Sequence, residues 1–333
     1  MEQHKCLLCG NESIFRREQK GYQQPQVFKI FQCSTCNTSF SIPRVDASAI
    51  YELIYKNPNL VPGYSDYANL QREISQSINP LEYLVKTNRC YWAAATEIKR
   101  ISAEMNSKPK ILEIGSGLGY FTFALKNAGF DIVGLDISEN AVEKAKEMFG
   151  NYYVCAELSK YALQNAGLYD IVVLTEVIEH IDMPLEFMSH IKGLLKTDGS
   201  IILTTPNKSF FPNEVAWYTD YPPVHCWWFS EESMRFIASN LKMKVRFTSF
   251  KDYHKLFPHI NKIAGIDSDG EYFFDKDGKP VRIVNNSSKH SFKNAIKKNE
   301  TYIKLRNSIL PFFFPHKFKT AKKQSTYLCC VLN

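Results

Sequence analysis

The segment Ile111–Phe121, ILEIGSGLGYF, constrains the chain most: an apolar run opens into glycines at alternate positions, Gly115, Gly117 and Gly119. A short apolar run bounded by such a turn reads as a buried strand. Glycines this dense let backbone pass close to something with no side chain in between. The next segment, YFTFALKNAG, has helical spacing and closes at Gly129. Strand, glycine turn and helix together make the first half of a βαβ unit.

The same alternation continues. FDIVGLD reads as a second strand, SENAVEKAKEMFG as a helix capped by Ser138 and closed by Gly150, and YYVCAE as a third strand. YDIVVLT, the helix PLEFMSHIKGLLKTDG and SIILTTP follow, then the helix SEESMRFIASNLK behind Ser230, MKVRFTSF, and STYLCCVL near the end. Strands alternating with helices predict an α/β fold with a doubly wound, seven-stranded, mostly parallel sheet. The last two strands are expected as an antiparallel pair separated by a long insertion. The expected organisation is a head at 1–45, a helical cap or linker at 46–108, a core at 109–250, an insertion at 251–324 and the last core strand at 325–333. Within the cap, Leu81 to Met105 reads as one helix.

The head carries two C-x-x-C knuckles, Cys6/Cys9 and Cys33/Cys36. Four thiolates at this spacing converge tetrahedrally on one ion, which predicts a structural zinc ribbon. Gly10 and Asn37, just after the knuckles, tolerate the left-handed turn a knuckle needs. A site closed by four thiolates leaves no open position for catalysis.

Charge is uneven. Between Lys279 and Lys323 there are twelve Lys or Arg against one acid, Glu300, so of the net +7 this segment holds +11 and the rest of the chain −4. Mixed with Phe312, Phe313 and Phe314, it has three readings: peripheral contact with an anionic membrane, a grip on a substrate diphosphate, or an insertion that docks its phenylalanines on the sheet. The N-terminus MEQHKCLLCG lacks a basic start and an apolar stretch, so a cytoplasmic protein with reduced cysteines is expected.

The glycine loop departs from the dehydrogenase fingerprint, because Tyr120 stands where G-x-G-x-x-G has its last glycine. Glu113, Gly115, Gly117, Gly119 and Asp136 together resemble class I S-adenosylmethionine-dependent methyltransferases, over roughly residues 110–250. That resemblance implies S-adenosylmethionine as cofactor. It places the glycine loop, Ser116 included, under the methionine and ribose, Glu113 at the methionine end and Asp136 on the ribose hydroxyls. Ile137 would lie against adenine, Glu157 near the adenine amino group, Thr175 along the cofactor, and Tyr64 over it.

Catalytic residues are expected on loops at the carboxyl ends of the strands. TEVIEHI would set Glu176 and His180 on one face of a helical turn. YPPVHCWWFS packs His225 among Tyr221, Trp227, Trp228 and Phe229. His180, His225 and Glu176 are therefore the candidate catalytic residues. Both stretches resemble methyltransferases of small hydroxylated molecules and of bacterial sugars and surface polysaccharides, so the expected substrate is a sugar or nucleotide-sugar. Glu176, Glu179 and His180 also resemble quinone-type O-methyltransferases that use a divalent metal. A zinc-ribbon RNA methyltransferase is the alternative reading, favoured by the basic segment but opposed by the absence of an N-P-P-Y-type signature after the fourth strand. DNA is not an expected partner. A binding protein that has kept only the fold is a third reading, and the intact glycine loop and Asp136 argue against it.

Overall fold

The computed structural model describes residues 3–57, 60–61, 65–210, 221–257, 272–281 and 325–333. The head strands are β1 (Gln3–Lys5), β2 (Glu12–Lys20), β3 (Val27–Cys33) and β4 (Ser39–Ile42). The core strands are β5 (Lys110–Ile114), β6 (Asp131–Asp136), β7 (Tyr153–Cys155), β8 (Tyr169–Thr175) and β9 (Leu195–Pro206). Then come β10 (Trp227–Trp228), β11 (Val245–Phe247) and β12 (Tyr327–Leu332).

Seven strands form one sheet in the order β11-β12-β9-β8-β5-β6-β7. β5 pairs in parallel with both β6 and β8, so successive crossovers leave it in opposite directions. A crevice opens at the carboxyl ends of such a switch point. β12 is antiparallel to β9 on one side and to β11 on the other. The expected antiparallel pair is therefore present, and the last strand lies inside the sheet.

Both faces of this sheet are apolar, as parallel strands covered on two sides require. Leu112, Val172, Leu174, Ile201, Leu203 and Cys330 pack under the helices Pro184–Leu194 and Glu231–Asn240. Their neighbours Ile111, Ile171, Val173, Ile202, Cys329 and Val331 face the helices Arg89–Glu104 and Tyr120–Asn127. Ser138 and Ser230 cap their helices as expected, by accepting from the backbone N–H of Ala141 and Ser233. The expected single helix from Leu81 is two helices, Pro80–Thr87 and Arg89–Glu104. Asn88 stays extended between them and caps the second by accepting from Cys90 N at 2.8 Å. A side chain that satisfies orphan N–H groups here stabilises a fresh helix start.

The head does not stand apart. Its sheet has a fifth strand, β10, contributed from the segment after β9, with Trp227 opposite Phe40 and Trp228 opposite Ser39. Cys6, Cys33, Cys36, Phe31 and Phe40 belong to the same apolar cluster as one face of the core sheet. Part of the expected insertion also docks on the head. Phe273 and Phe274 are buried with Tyr22 and Tyr221, and both their amides donate to the Tyr22 carbonyl. Most of the basic segment, residues 282–324, lies outside the described residues, so its three readings stay proposals. No helix among the described residues is long and apolar enough to cross a membrane.

Val331 is 1% exposed and sits between Ile202 and Arg246 of the flanking strands. Val331→Asp is expected to destabilise the protein by more than about 3 kcal/mol, because it buries a carboxylate without a partner. Denaturant midpoints check this, and a change within about 0.5 kcal/mol, typical of surface positions, would contradict the inserted strand.

Candidate active site and metal centre

The glycine loop runs from the end of β5 into the helix Tyr120–Asn127, with Gly115, Gly117 and Gly119 all at positive φ, 72°, 51° and 82°. Two of the three glycines are required by neighbours. A Cβ on Gly115 would meet Val177 at 2.5 Å, and one on Gly119 would meet Ala145 and Tyr153 at 2.7 Å. At Gly117 a Cβ would meet nothing within 4 Å. Its surroundings are open, as a cradle for a ligand needs. The Ser116 hydroxyl beside it is buried and makes no hydrogen bond.

Asp136, at the end of β6, ties the loop down. One carboxylate oxygen accepts from Gly117 N at 2.7 Å and the other from Ser138 N at 2.8 Å. A carboxylate has about four acceptor positions, so capacity is left for two ribose hydroxyls. Ile137 follows with its side chain 74% exposed, an apolar surface suited to a flat ring. Glu113 lies beneath the loop, 2% exposed, and accepts from the Thr122 hydroxyl. Burial pushes its carboxyl up to about 8, with Thr122 working against the shift and Asp136 adding to it. Thr175 is nearly buried at the end of β8. These residues fit S-adenosylmethionine. Glu157 is placed differently from the rest: exposed, it accepts from Ser159 Oγ at 2.6 Å and pairs with Lys160 at 3.1 Å on its own helix. Tyr64 lies outside the described residues.

The expected helical turn across Glu176 and His180 does not form. Glu176 sits in the left-handed region, φ 56°, and only Ile178–His180 make a short 3₁₀ turn. The reversed backbone sends the Glu176 carboxylate toward β9 and the Arg89–Glu104 helix. There it accepts from Thr204 Oγ1 at 3.0 Å and from the Cys90 thiol at 3.5 Å. Glu179 is fully buried and accepts from Thr205 Oγ1 at 3.0 Å.

His180 and His225 come together, with ring centroids 4.4 Å apart and planes at 68°. His180 Nδ1 lies 2.8 Å from the Val224 carbonyl, so that nitrogen carries the proton when the ring is neutral. The Tyr51 hydroxyl is 3.2 Å from the same nitrogen. Burial, then the neighbouring His225, pushes His180 down to about 3. One ligand atom each from Glu179, His180 and His225 also lies within 4.8 Å of the others, a set that could hold a cation.

The rings around His225 are not open faces. Tyr221, Trp227, Trp228 and Phe229 are all 3% exposed or less. They hold the segment in place instead of presenting a platform. Cys226 N donates to the Glu179 carbonyl, Trp227 Nε1 to the Ile181 carbonyl at 2.7 Å, and Lys208 N to the Phe229 carbonyl. The segment is thus wedged between the 3₁₀ turn, the end of β9 and the head.

In the head, Cys6 Sγ–Cys36 Sγ is 3.7 Å and Cys9 Sγ–Cys33 Sγ is 3.4 Å. With Zn–S bonds of about 2.3 Å, the edge of a tetrahedron of sulfurs is about 3.8 Å, so the four thiols fit a tetrahedral ion. Gly10 and Asn37 take the left-handed turns expected of them, at φ 76° and 54°. The second knuckle is bolted to the core: the Cys36 carbonyl accepts from Ser233 Oγ, Thr38 Oγ1 donates to the same hydroxyl, and Lys208 Nζ donates to Asn37 Oδ1 at 2.7 Å.

Residues 86–241, a little under half of the chain, match a protein-family model described as a methyltransferase domain. The matched residues take in the core strands from β5 to β9 and the helix Glu231–Asn240. Similar curated proteins include the mitochondrial ubiquinone biosynthesis O-methyltransferase of Dictyostelium discoideum, 30% identical over 115 residues, which are 30% of this chain and 36% of that protein. The ubiquinone biosynthesis O-methyltransferase of Aromatoleum aromaticum is 30% identical over 106 residues, 30% of this chain and 45% of that one. The chain thus spans less than half the length of these two relatives. Among solved structures, a SAM-dependent methyltransferase from Archaeoglobus fulgidus is 18% identical, covering 72% of this chain and 92% of its own, with a TM-score of 0.43. Magnesium protoporphyrin IX methyltransferase from Synechocystis PCC 6803, with bound SAM, is 19% identical over 61% of this chain and 90% of its own, with a TM-score of 0.40.

Glu113, buried, and His180, half-buried, act in opposite directions with pH. Glu113, raised from 4.5 to about 8, contributes stability below pH 4.5 that is lost as pH rises through 8. His180, lowered from 6.5 to about 3, contributes stability above pH 6.5 that is lost as pH falls. Glu113→Gln removes only the first effect. The variant is therefore expected to gain on the wild type by more than about 1 kcal/mol between pH 5 and pH 7, from a limit of about 1.4 kcal/mol per pH unit. Denaturant titrations at the two pH values check this, and a constant difference would contradict it.

Proposed function

We propose that this chain is an S-adenosylmethionine-dependent methyltransferase acting on a hydroxyl of a small molecule. The observation that carries the reading is the loop at the end of β5. An open glycine, an unbonded buried serine hydroxyl and a ribose-ready carboxylate converge there, beside an exposed isoleucine. The family match over residues 86–241 supports the reaction class, and the names of the curated relatives support an oxygen acceptor. We place the acceptor class with sugars or sugar-containing intermediates of bacterial polysaccharide biosynthesis, a reading supported by the sequence resemblance alone.

When bound, S-adenosylmethionine would supply an electrophilic methyl group, with S-adenosylhomocysteine as the leaving group. The chain's own residues hold the cofactor and receive the hydroxyl proton. Gly117, Ser116 and Asp136 hold the nucleoside end from one side, and Ile137 offers its apolar surface to the adenine. A sugar hydroxyl is too weak an acid to ionise unaided, so a base at the acceptor aids the transfer. His180 is a poor base, because its environment opposes the imidazolium form down to about pH 3. Its proton on Nδ1 ties the Val224 carbonyl and so holds the His225 loop. We therefore assign the acceptor proton to His225 and a positioning role to His180. The cysteine site is assigned a structural zinc.

Asp136→Ala is expected to weaken S-adenosylmethionine binding by on the order of 2–4 kcal/mol, through loss of a charged acceptor. His225→Ala should lower turnover about 10²-fold with cofactor affinity nearly intact. Calorimetry with the cofactor and product assays on candidate hydroxyl acceptors read the two effects. Unchanged cofactor affinity in the first variant, or full turnover in the second, would overturn the corresponding assignment.

Metal analysis of the purified chain is expected to give one zinc, and Cys33→Ser to release it. A wild-type chain without zinc, or a serine variant that keeps the metal, would remove zinc from the account.

A further inference from the structure

Arg44 follows β4 by two residues, and its guanidinium carbon lies 4.4 Å from the centroid of the Trp227 ring. Both terminal nitrogens, Nη1 and Nη2, are buried and make no hydrogen bond. Asp182 acts on the guanidinium through space. A guanidinium presents five donors in a planar fork matched to an oxyanion, and it keeps its charge at any working pH. A stacked, dehydrated guanidinium with both fork tips unused has the form of a binding group waiting for a planar or tetrahedral oxyanion.

Its location says which molecule would bring one. Trp227 comes two residues after His225, and Asp182 two residues after His180. The bond from Ser41 N to the Cys226 carbonyl lays the end of β4 along the His225 segment. Arg44 is thus bracketed by the two elements that carry the histidine pair.

We propose that Arg44, stacked on Trp227, binds an anionic group of the acceptor substrate, a phosphate or a carboxylate, and so orients the acceptor toward His225. This rests on the reading that the acceptor occupies the His180–His225 end. It adds that the acceptor is an anion, of the kind a phosphorylating, nucleotidyl-transferring or carboxylate-forming reaction would supply. The ring stack keeps the fork in one plane, which a lysine at this position would not reproduce.

The test uses the full zinc-loaded chain and titrates inorganic phosphate, pyrophosphate and acetate by calorimetry, with and without saturating S-adenosylhomocysteine. Saturable one-to-one binding of at least one anion is expected. Phosphate or pyrophosphate as the tighter ligand assigns a phosphorylated acceptor, and acetate as the tighter one a carboxylate. Arg44→Gln should weaken that binding at least tenfold and Arg44→Lys should weaken it to an intermediate degree, while affinity for S-adenosylhomocysteine stays within twofold in both. That unchanged affinity also shows that the variants are folded; if the glutamine variant fails it, the lysine variant decides. No saturable binding of any of the three anions to the wild type, or equal binding in the variants, overturns the proposal. Absence of S-adenosylhomocysteine binding to the wild type would instead overturn the methyltransferase reading, and the anion titration without cofactor still decides the role of Arg44.

Discussion

The rest of the site depends on a contact only two residues long, the pairing of β10 with β4. Few ladder hydrogen bonds are available there, each worth about 0.5–1.5 kcal/mol net. The side chains carry more. A tryptophan buries about 150–250 Å², or about 4–6 kcal/mol at 25 cal/mol per Å². Trp227 and Trp228 are both almost fully buried, on opposite faces of the head sheet: Trp227 with Phe40, Trp228 with Phe28 and Ile30. Two rings therefore fasten the head to the segment that carries His225. The cysteine site holds β3 and β4 at their knuckle, so the ion it is assigned would act on the His225 segment through these rings.

At the other half of the site the constraint is backbone geometry. Gly115 and Gly119 are crowded against Val177, Ala145 and Tyr153, while Gly117 faces open space. Tyr153 also donates its hydroxyl to the Gly119 carbonyl at 2.6 Å. The loop is thus held from below by packing and from the side by Asp136, and only its upper surface is left for a ligand. Glu176 shows the same economy at the end of β8. A non-glycine residue in the left-handed region carries strain that its surroundings must offset. The bonds from Thr204 and Cys90, with that from Glu176 N to the Thr204 carbonyl, do so.

What could be read in the sequence was local. The glycine loop, Asp136, the serine caps and the two cysteine knuckles are each set by neighbours a few residues away, and all appear where their spacing puts them. What could not be read depends on distant partners or on one backbone angle. The WW strand pairs with residues almost two hundred positions earlier, and two residues are too few to show a strand period. A still longer separation hid Phe273 and Phe274, whose partner is Tyr22. Glu176 and His180 have helical spacing, but a single left-handed φ at Glu176 goes with a carboxylate turned to Thr204 and Cys90. Asn79 and Asn88 carry local signals too, since asparagine before a helical run is a cap and Pro80 suits a first helical position. Arg44 carries no motif. It becomes visible only when Trp227 folds beneath it.

The central claim is that the head and the His225 segment are one unit. Hydrogen exchange by mass spectrometry on the zinc-loaded and chelated full chain tests it most directly. The account predicts that removing the metal deprotects the amides of β4 and of residues 225–229 together, while those of β5 and β6 keep their protection. Loss confined to residues 3–42, with 225–229 unchanged, would contradict it.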